Sequence, residues 1–187
     1  SLDVMLTSYS SRYGLSPDGK WVVYTLPMDK PGEQSGNNGP QADVWKMPAD
    51  GGKAEKVVRF PSRVHDLCFT ADGKNLIVVS DLGGAYNDLW QFPWSENPLA
   101  QLKKLTAGQA DEDRPSVSRD GKWLAYSDNR AGATALIVRE LTSGKEHTVA
   151  IERLDYRCAT GTLRVRTNDR DSKKSVTARV VVLQDKG

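Results

Sequence analysis

The chain contains few cysteines, no long apolar run and little excess charge of either sign. Its 187 residues include only Cys68 and Cys158, which cannot build a disulfide framework or a Cys-x-x-Cys metal site. No run approaches the roughly 18 apolar residues that a membrane-spanning helix needs. The 26 Lys and Arg residues nearly balance the 24 Asp and Glu residues. We therefore expect neither membrane insertion nor a nucleic-acid partner.

Motifs that carry chemistry are also missing. There is no G-x-S-x-G serine nucleophile, no phosphate-binding G-x-x-x-x-G-K-[ST] loop and no H-E-x-x-H metal motif. The two histidines are too few for an ordinary catalytic zinc site, which needs three protein ligands. We expect no catalytic residues, no metal and no cofactor within this chain, and the sequence leaves open whether a longer parent protein is an enzyme.

One turn motif occurs three times. The motif [Ser/Thr]-x-Asp-Gly-Lys stands at Ser16–Lys20, Thr70–Lys74 and Ser118–Lys122. Its glycine supplies a positive φ at low cost, and its Asp and Ser/Thr side chains can bind the turn's own backbone. Each copy is followed by three short strand-like segments: 21–24, 43–47 and 56–59; 76–79, 88–92 and 102–106; 123–126, 135–138 and 146–149.

Together with the strand that leads into the turn, each repeat offers four short strands in about 47 residues, the size of one β-propeller blade. No stretch shows a convincing helical period. We predict an all-β fold, a partial β-propeller of three four-stranded blades at about 9–60, 61–107 and 108–150. Because propellers have typically 4–8 blades, we expect the missing blades to come from the same longer chain or from a second copy.

The turn motif, a Gly-bearing loop and the following Asp-[Val/Leu]-Trp resemble the WD40-like repeats of TolB-type β-propellers over residues 9–150. The third unit departs from this pattern, with Ala135-Leu-Ile in place of Asp-x-Trp. Similar blades occur in propellers of prolyl-oligopeptidase-like peptidases, tricorn-like proteases and some amidohydrolases. The resemblance implies a periplasmic or extracellular protein, whereas two unpaired-looking cysteines favour the cytoplasm.

The last 37 residues differ from the repeats. Residues 151–187 carry nine Lys and Arg against five Asp and Glu, and segments 162–167 and 178–182 flank a turn-rich loop at 169–175. This region is predicted to be a linker and β-hairpin. It resembles the opening of a carboxypeptidase-regulatory-like β module, and the alternative is a hairpin packed on the last blade.

Charged residues recur just before each innermost strand. Six places before the turn Asp stand Arg12, Asp66 and Arg114, and one place earlier stand Ser11, His65 and Asp113. Entry to the innermost strands lies at the rim of a propeller channel. Two interpretations follow: a ring of ion pairs between blades, or a polar funnel that binds a peptide or small anion. The candidate binding residues are Arg12, His65, Asp66, Asp113 and Arg114.

Two further features belong to the same rim. Asp111–Asp113 adds three acids, which we expect to be solvated, and the loop 27–41 is long enough to cover a funnel. The preferred function is a non-catalytic platform that binds a protein or peptide partner. The alternative is the propeller portion of a larger hydrolase, in which it gates or orients substrate.

Overall fold

Three four-stranded antiparallel sheets make up the fold. The computed structural model describes residues 12–27, 41–95, 97–150, 152, 161 and 164–176. The first sheet has the order β1-β2-β3-β4, the second β5-β6-β7-β8 and the third β9-β10-β11-β12. The strands are Tyr13–Leu15, Trp21–Pro27, Ala42–Pro48, Glu55–Phe60, Asp66–Phe69, Asn75–Ser80, Asp88–Pro93, Lys103–Lys104, Glu112–Val117, Trp123–Asp128, Ala135–Glu140 and Glu146–Thr148.

This architecture confirms the predicted all-β partial propeller of three blades. A 3-10 helix, Pro98–Gln101, precedes β8. No helix among the described residues is long and apolar enough to cross a membrane. By contacts the chain divides into two units, 1–150 and 151–187.

The repeated turn joins the first two strands of every blade. Gly19, Gly73 and Gly121 have φ angles of 71°, 67° and 71°, as the motif predicts. In the first copy the Asp18 carboxylate accepts hydrogen bonds from the Ser16 hydroxyl (2.6 Å) and the Lys20 amide (3.1 Å). The Ser16 hydroxyl oxygen accepts the Trp21 amide at 2.9 Å. These hydrogen bonds close the turn within residues 16–21, without a side chain from another blade.

Successive blades pack face to face. One apolar cluster joins the first two blades through side chains such as Val44, Phe60, Val78 and Phe92. A second cluster joins the last two through Ile77, Leu89, Leu124, Tyr126 and Ile137. Because neighbouring residues of a strand point to opposite faces, β6 supplies Leu76 and Val78 to one cluster and Ile77 and Val79 to the other.

The Asp-x-Trp segment holds the outermost strand in the first two blades. The buried Asp43 carboxylate pairs with Arg59 (2.8 Å) and Lys56 (3.6 Å) of β4. In the second blade Asp88 pairs with Lys104 of β8 at 2.7 Å, and the Lys104 ammonium lies 5.4 Å from the centre of the Trp90 ring.

The third blade lacks this acid and uses a different network. Ala135 occupies the Asp position, and the outer strand is held instead by Glu146. The Glu146 carboxylate pairs with Arg139 at 2.7 Å and with Arg130 at 3.3 Å, and it accepts the Tyr126 hydroxyl at 2.8 Å.

Among the described residues, no further blade packs on the outer face of the first blade or on that of the third. Tyr13 and Leu15 are 65% and 59% exposed, whereas their repeat counterparts Leu67 and Phe69 are 5% and 7% exposed. On the third blade Leu136 is 48% exposed, whereas its counterpart Leu89 is fully buried.

The exposure of the tryptophan side chains also depends on whether a neighbouring blade covers them. The Trp21 ring meets the Trp94 ring of the second blade edge-on at 6.1 Å. Its counterpart Trp123 is 39% exposed, and no following blade packs on it within the part of the chain that the structure describes.

In the second unit, the described residues 164–176 form one turn. An antiparallel bridge joins Asn168 to Ser175, and the Asp169 amide donates to the Lys174 carbonyl at 2.8 Å. The expected strand at 178–182 lies outside the described residues, as do Ser11 and most of the loop 27–41. The likeness to a regulatory module stays a prediction.

Substitution of the turn glycines separates backbone strain from crowding. A Cβ at Gly19 meets nothing within 4 Å, whereas a Cβ at Gly121 lies 3.3 Å from the Ala71 side chain of the preceding blade. We predict that Gly19→Ala lowers the free energy of unfolding by about 1 kcal/mol through the left-handed backbone alone. Gly121→Ala should cost more, about 2 kcal/mol.

The matched control is Gly108→Ala. Gly108 has no positive φ and open space at its Cβ, so this change should leave stability equal or slightly higher. Chemical denaturation of the three variants measures the order. Equal stability of Gly121→Ala and Gly108→Ala would contradict the turn assignment.

Candidate functional site

The five candidate residues line one cavity of about 720 Å³, here called the rim cavity. Its walls also include Tyr13 and Asn87. The three innermost strands, β1, β5 and β9, lie side by side, and the cavity opens where they begin. Sequence reasoning missed Tyr13, which reads as an ordinary strand residue, and Asn87, whose only signal is its place directly before the Asp-x-Trp segment.

A β-bulge changes the predicted equivalence of the rim positions. Asp66 stands opposite Val79 in the second blade, whereas Asp113, not Arg114, stands opposite the corresponding Ser127 in the third. The pairing of β9 with β10 shifts register between Ala125 and Ser127, which places an extra residue in β9. The equivalent positions therefore carry Arg12, Asp66 and Asp113, and the expected Arg-Asp-Arg alternation is wrong.

Arg114 belongs to this bulge and has an unusual backbone. Its φ is 56°, and it precedes Pro115. A left-handed conformation costs a residue with a Cβ about 1–2 kcal/mol, and a following proline restricts it further. Bulges of this kind redirect a side chain and are frequent beside functional sites.

No ion-pair ring joins the blades among the described residues. Arg114 is exposed, and its side chain has neither a hydrogen bond nor an ion pair there. Arg12 instead donates through Nε to the carbonyl oxygen of His65 in the next blade. This contact ties the first two blades together at the cavity wall.

His65 is a neutral group at physiological pH. Burial lowers the pKa of its imidazole, more than the nearby Asp81 carboxylate raises it. Its Nε2 atom is buried and has no hydrogen-bond partner among the described residues. The imidazole therefore contributes an unused polar atom to the cavity, not a fixed charge.

The two rim carboxylates are held differently. Asp66 accepts the Leu67 amide at 2.9 Å. Burial raises the pKa of Asp113 above its ordinary value, and the Asn87 side-chain amide approaches its Oδ1 at 3.5 Å. With two arginines and two carboxylates, the cavity presents donors and acceptors of both charges around an uncharged imidazole.

The expectation that all three acids of Asp111–Asp113 are solvated is wrong for Glu112. This side chain is 1% exposed. Its carboxyl oxygen accepts the Thr106 hydroxyl at 3.0 Å, and its backbone amide donates to the Asn87 carbonyl at 2.9 Å. Burial, with added repulsion from Asp88 and Asp128, raises the pKa of Glu112 to about 7.

Asp111 connects the two neighbouring loops. It accepts the Asn87 amide at 3.0 Å, and its own amide donates to the Asn129 side chain at 2.9 Å. The part of the chain that the structure describes contains no group of three or more His, Cys, Asp or Glu arranged to hold a metal ion. The acids of this loop thus fix the cavity wall through hydrogen bonds.

Comparison with solved structures identifies the fold class. TolB from Acinetobacter baumannii matches 76% of this chain and 33% of its own, with a TM-score of 0.59 and 21% identity. A putative TolB from Agrobacterium tumefaciens matches 77% of this chain and 50% of its own, with a TM-score of 0.60 and 18% identity. The three sheets are blades of a TolB-like β-propeller, as the repeated motif predicts.

Sequence comparison gives a further relative. No protein-family model matches the chain. A Bacillus subtilis protein described as the uncharacterized peptidase YuxL is 25% identical in the matched region, which covers 61% of this chain and 21% of that protein. The AtxE2 isopeptidase also contains a similar structure, with a TM-score of 0.52 and 14% identity. The chain thus spans half or less of the length of each of these proteins.

The buried Glu112 predicts a distinctive pH dependence of stability. Its pKa is about 7 in the folded chain and near 4.5 when unfolded, so the unfolded chain loses this proton first. Between about pH 4.5 and 7 this group therefore makes folding less favourable as the pH rises. We expect Glu112→Gln to raise the free energy of unfolding at pH 8 relative to the parent, by on the order of 2 kcal/mol.

At pH 3, well below both pKa values, the same variant should match the parent, because the glutamic acid is then protonated in both states. Urea denaturation at the two pH values measures this difference. The control is Glu140→Gln, a carboxylate that is partly exposed and bound to Ser143. A Glu112→Gln variant that is equally destabilised at both pH values would contradict a buried, protonatable Glu112.

Proposed function

We propose that this chain is a non-catalytic propeller platform that binds a protein or peptide partner in the rim cavity. The observation that carries the proposal is the cavity itself: seven polar or amphipathic side chains from the three blades converge on one space of about 720 Å³. A peptide backbone offers donors and acceptors in alternation, and this lining offers both.

The second candidate is the propeller portion of a larger hydrolase, in which the same cavity orients substrate. The distant likeness to a protein described as a peptidase and the fold shared with an isopeptidase favour it. This candidate function is tested by measuring peptide cleavage by a longer protein that contains the chain. If that protein cleaves a peptide, rim substitutions should raise KM with little change in kcat.

We also propose that further blades cover the two outer faces, supplied by the same longer polypeptide or by a second copy. The contrast between exposed Tyr13, Leu15 and Leu136 and their buried counterparts supports this. The TolB-like fold favours a periplasmic or extracellular setting for the platform.

Site-specific photo-crosslinking tests the platform. Benzoylphenylalanine in place of Tyr13 puts the reactive group in the rim cavity, and the same residue in place of Lys20 puts it on the exposed turns at the other end of the strands. We expect a discrete cross-linked partner from position 13 only, in cells of the source organism. Adding Asp113→Asn and Asn87→Ala should abolish that product.

Two outcomes would contradict the proposal. One is an identical set of cross-linked products from positions 13 and 20. The other is a product from position 13 that persists unchanged in the Asp113→Asn, Asn87→Ala background.

A further inference from the structure

We propose that Arg114 binds a carboxylate of the ligand that occupies the rim cavity. The inference rests on the proposed function, since it assigns the chemistry by which that same cavity recognises a peptide. It makes the ligand a carboxylate-bearing peptide, recognised through either its C-terminus or an acidic side chain.

The first argument is the position of the guanidinium. Two of the other three arginines of the third blade are engaged: Arg130 pairs with Asp128, and Arg139 pairs with Glu146. The third, Arg119, is exposed in the turn at the other end of the strands, away from the cavity. Arg114 makes no such contact, although it lies on the wall of a cavity that also contains two carboxylates. A planar guanidinium with its donors unused is matched by a carboxylate, which can accept two parallel hydrogen bonds.

The second argument is the backbone conformation of Arg114. Among the described residues, an innermost strand is bulged only in the third blade, and only there does a residue with a Cβ take a positive φ, 56°, at the start of an innermost strand. Glycine or asparagine would occupy this position with less strain. Strain of this kind persists where the surrounding structure imposes it, and it concentrates at ligand-binding sites.

The third argument is the surrounding charge. Arg12 is already bound to the His65 carbonyl, and His65 is neutral. Arg114 is therefore the cation that an entering carboxylate can reach without breaking a contact between blades. Asp66 and Asp113 remain as acceptors for the amide groups of the peptide that follow the carboxylate.

The experiment titrates the ¹⁵N-labelled chain with three acetylated tripeptides and follows the backbone amides of Asp113 and Asn87. The first is trialanine with a free C-terminal carboxylate, the second is its carboxamide, and the third is the carboxamide with a central glutamate. We expect the carboxamide of trialanine to bind at least about tenfold more weakly than a carboxylate-bearing peptide. The first and third peptides distinguish a C-terminus from an acidic side chain.

Two variants at one position separate binding from folding. Arg114→Gly and Arg114→Asn both remove the guanidinium and suit the left-handed backbone, so each should melt at the same temperature as the parent or higher. Both should bind carboxylate and carboxamide peptides equally weakly. Arg114→Lys should keep part of the preference, because it retains the charge but not the paired donors.

The inference is overturned if the carboxamide binds as tightly as the carboxylates, or if Arg114→Asn binds the carboxylate peptides with unchanged affinity. Lower melting temperatures for both Arg114→Gly and Arg114→Asn would also overturn it, because they would show a structural role. If position 13 captures a partner but all three peptides bind equally, the carboxylate proposal is rejected and the platform proposal is retained.

Discussion

Face-to-face packing of the sheets is the constraint on which the other features depend. The middle sheet is apolar on both sides, and β6 sends alternate residues into the two clusters. This packing brings β1, β5 and β9 together, with so little space that a Cβ on Gly14 would lie 2.9 Å from Leu67. The charged residues at the start of these strands are therefore neighbours because of the core, and no attraction between them is required.

The sequence predicts the blades well because their signals are local. The Asp-Gly turn, its hydroxyl and the alternating strands act within about ten residues, and they hold in all three copies. The ion pair of the Asp-x-Trp acid cannot be predicted from such local signals, because its partner, Arg59 in the first blade and Lys104 in the second, is 16 residues further along the chain. In the third blade, where this acid is absent, Glu146 holds the outer strand instead. Only the folded sheet brings Glu146 close to Arg130 and Arg139.

The residues of the rim cavity show where prediction from local sequence signals fails. Counting back from the turn assumes that no strand carries an extra residue, and β9 does carry one. Pro115 was the available signal, because a proline inside a strand often marks a bulge. The burial of Glu112 had no local signal: it depends on Thr106 and Asn87, which belong to the preceding blade.

The outer faces of the first and third blades also differ from each other, and this has a consequence for assembly. One presents Tyr13 and Leu15 from an innermost strand, and the other presents Trp123 and Leu136 from β10 and β11, with Val149 directly after β12. Contacts between unlike faces have a direction, so adding one more unit always recreates the face that it covered. A row of such units leaves no apolar face exposed to water only when the last unit packs against the first and closes a ring. The angle between neighbouring blades sets the number of blades in that ring.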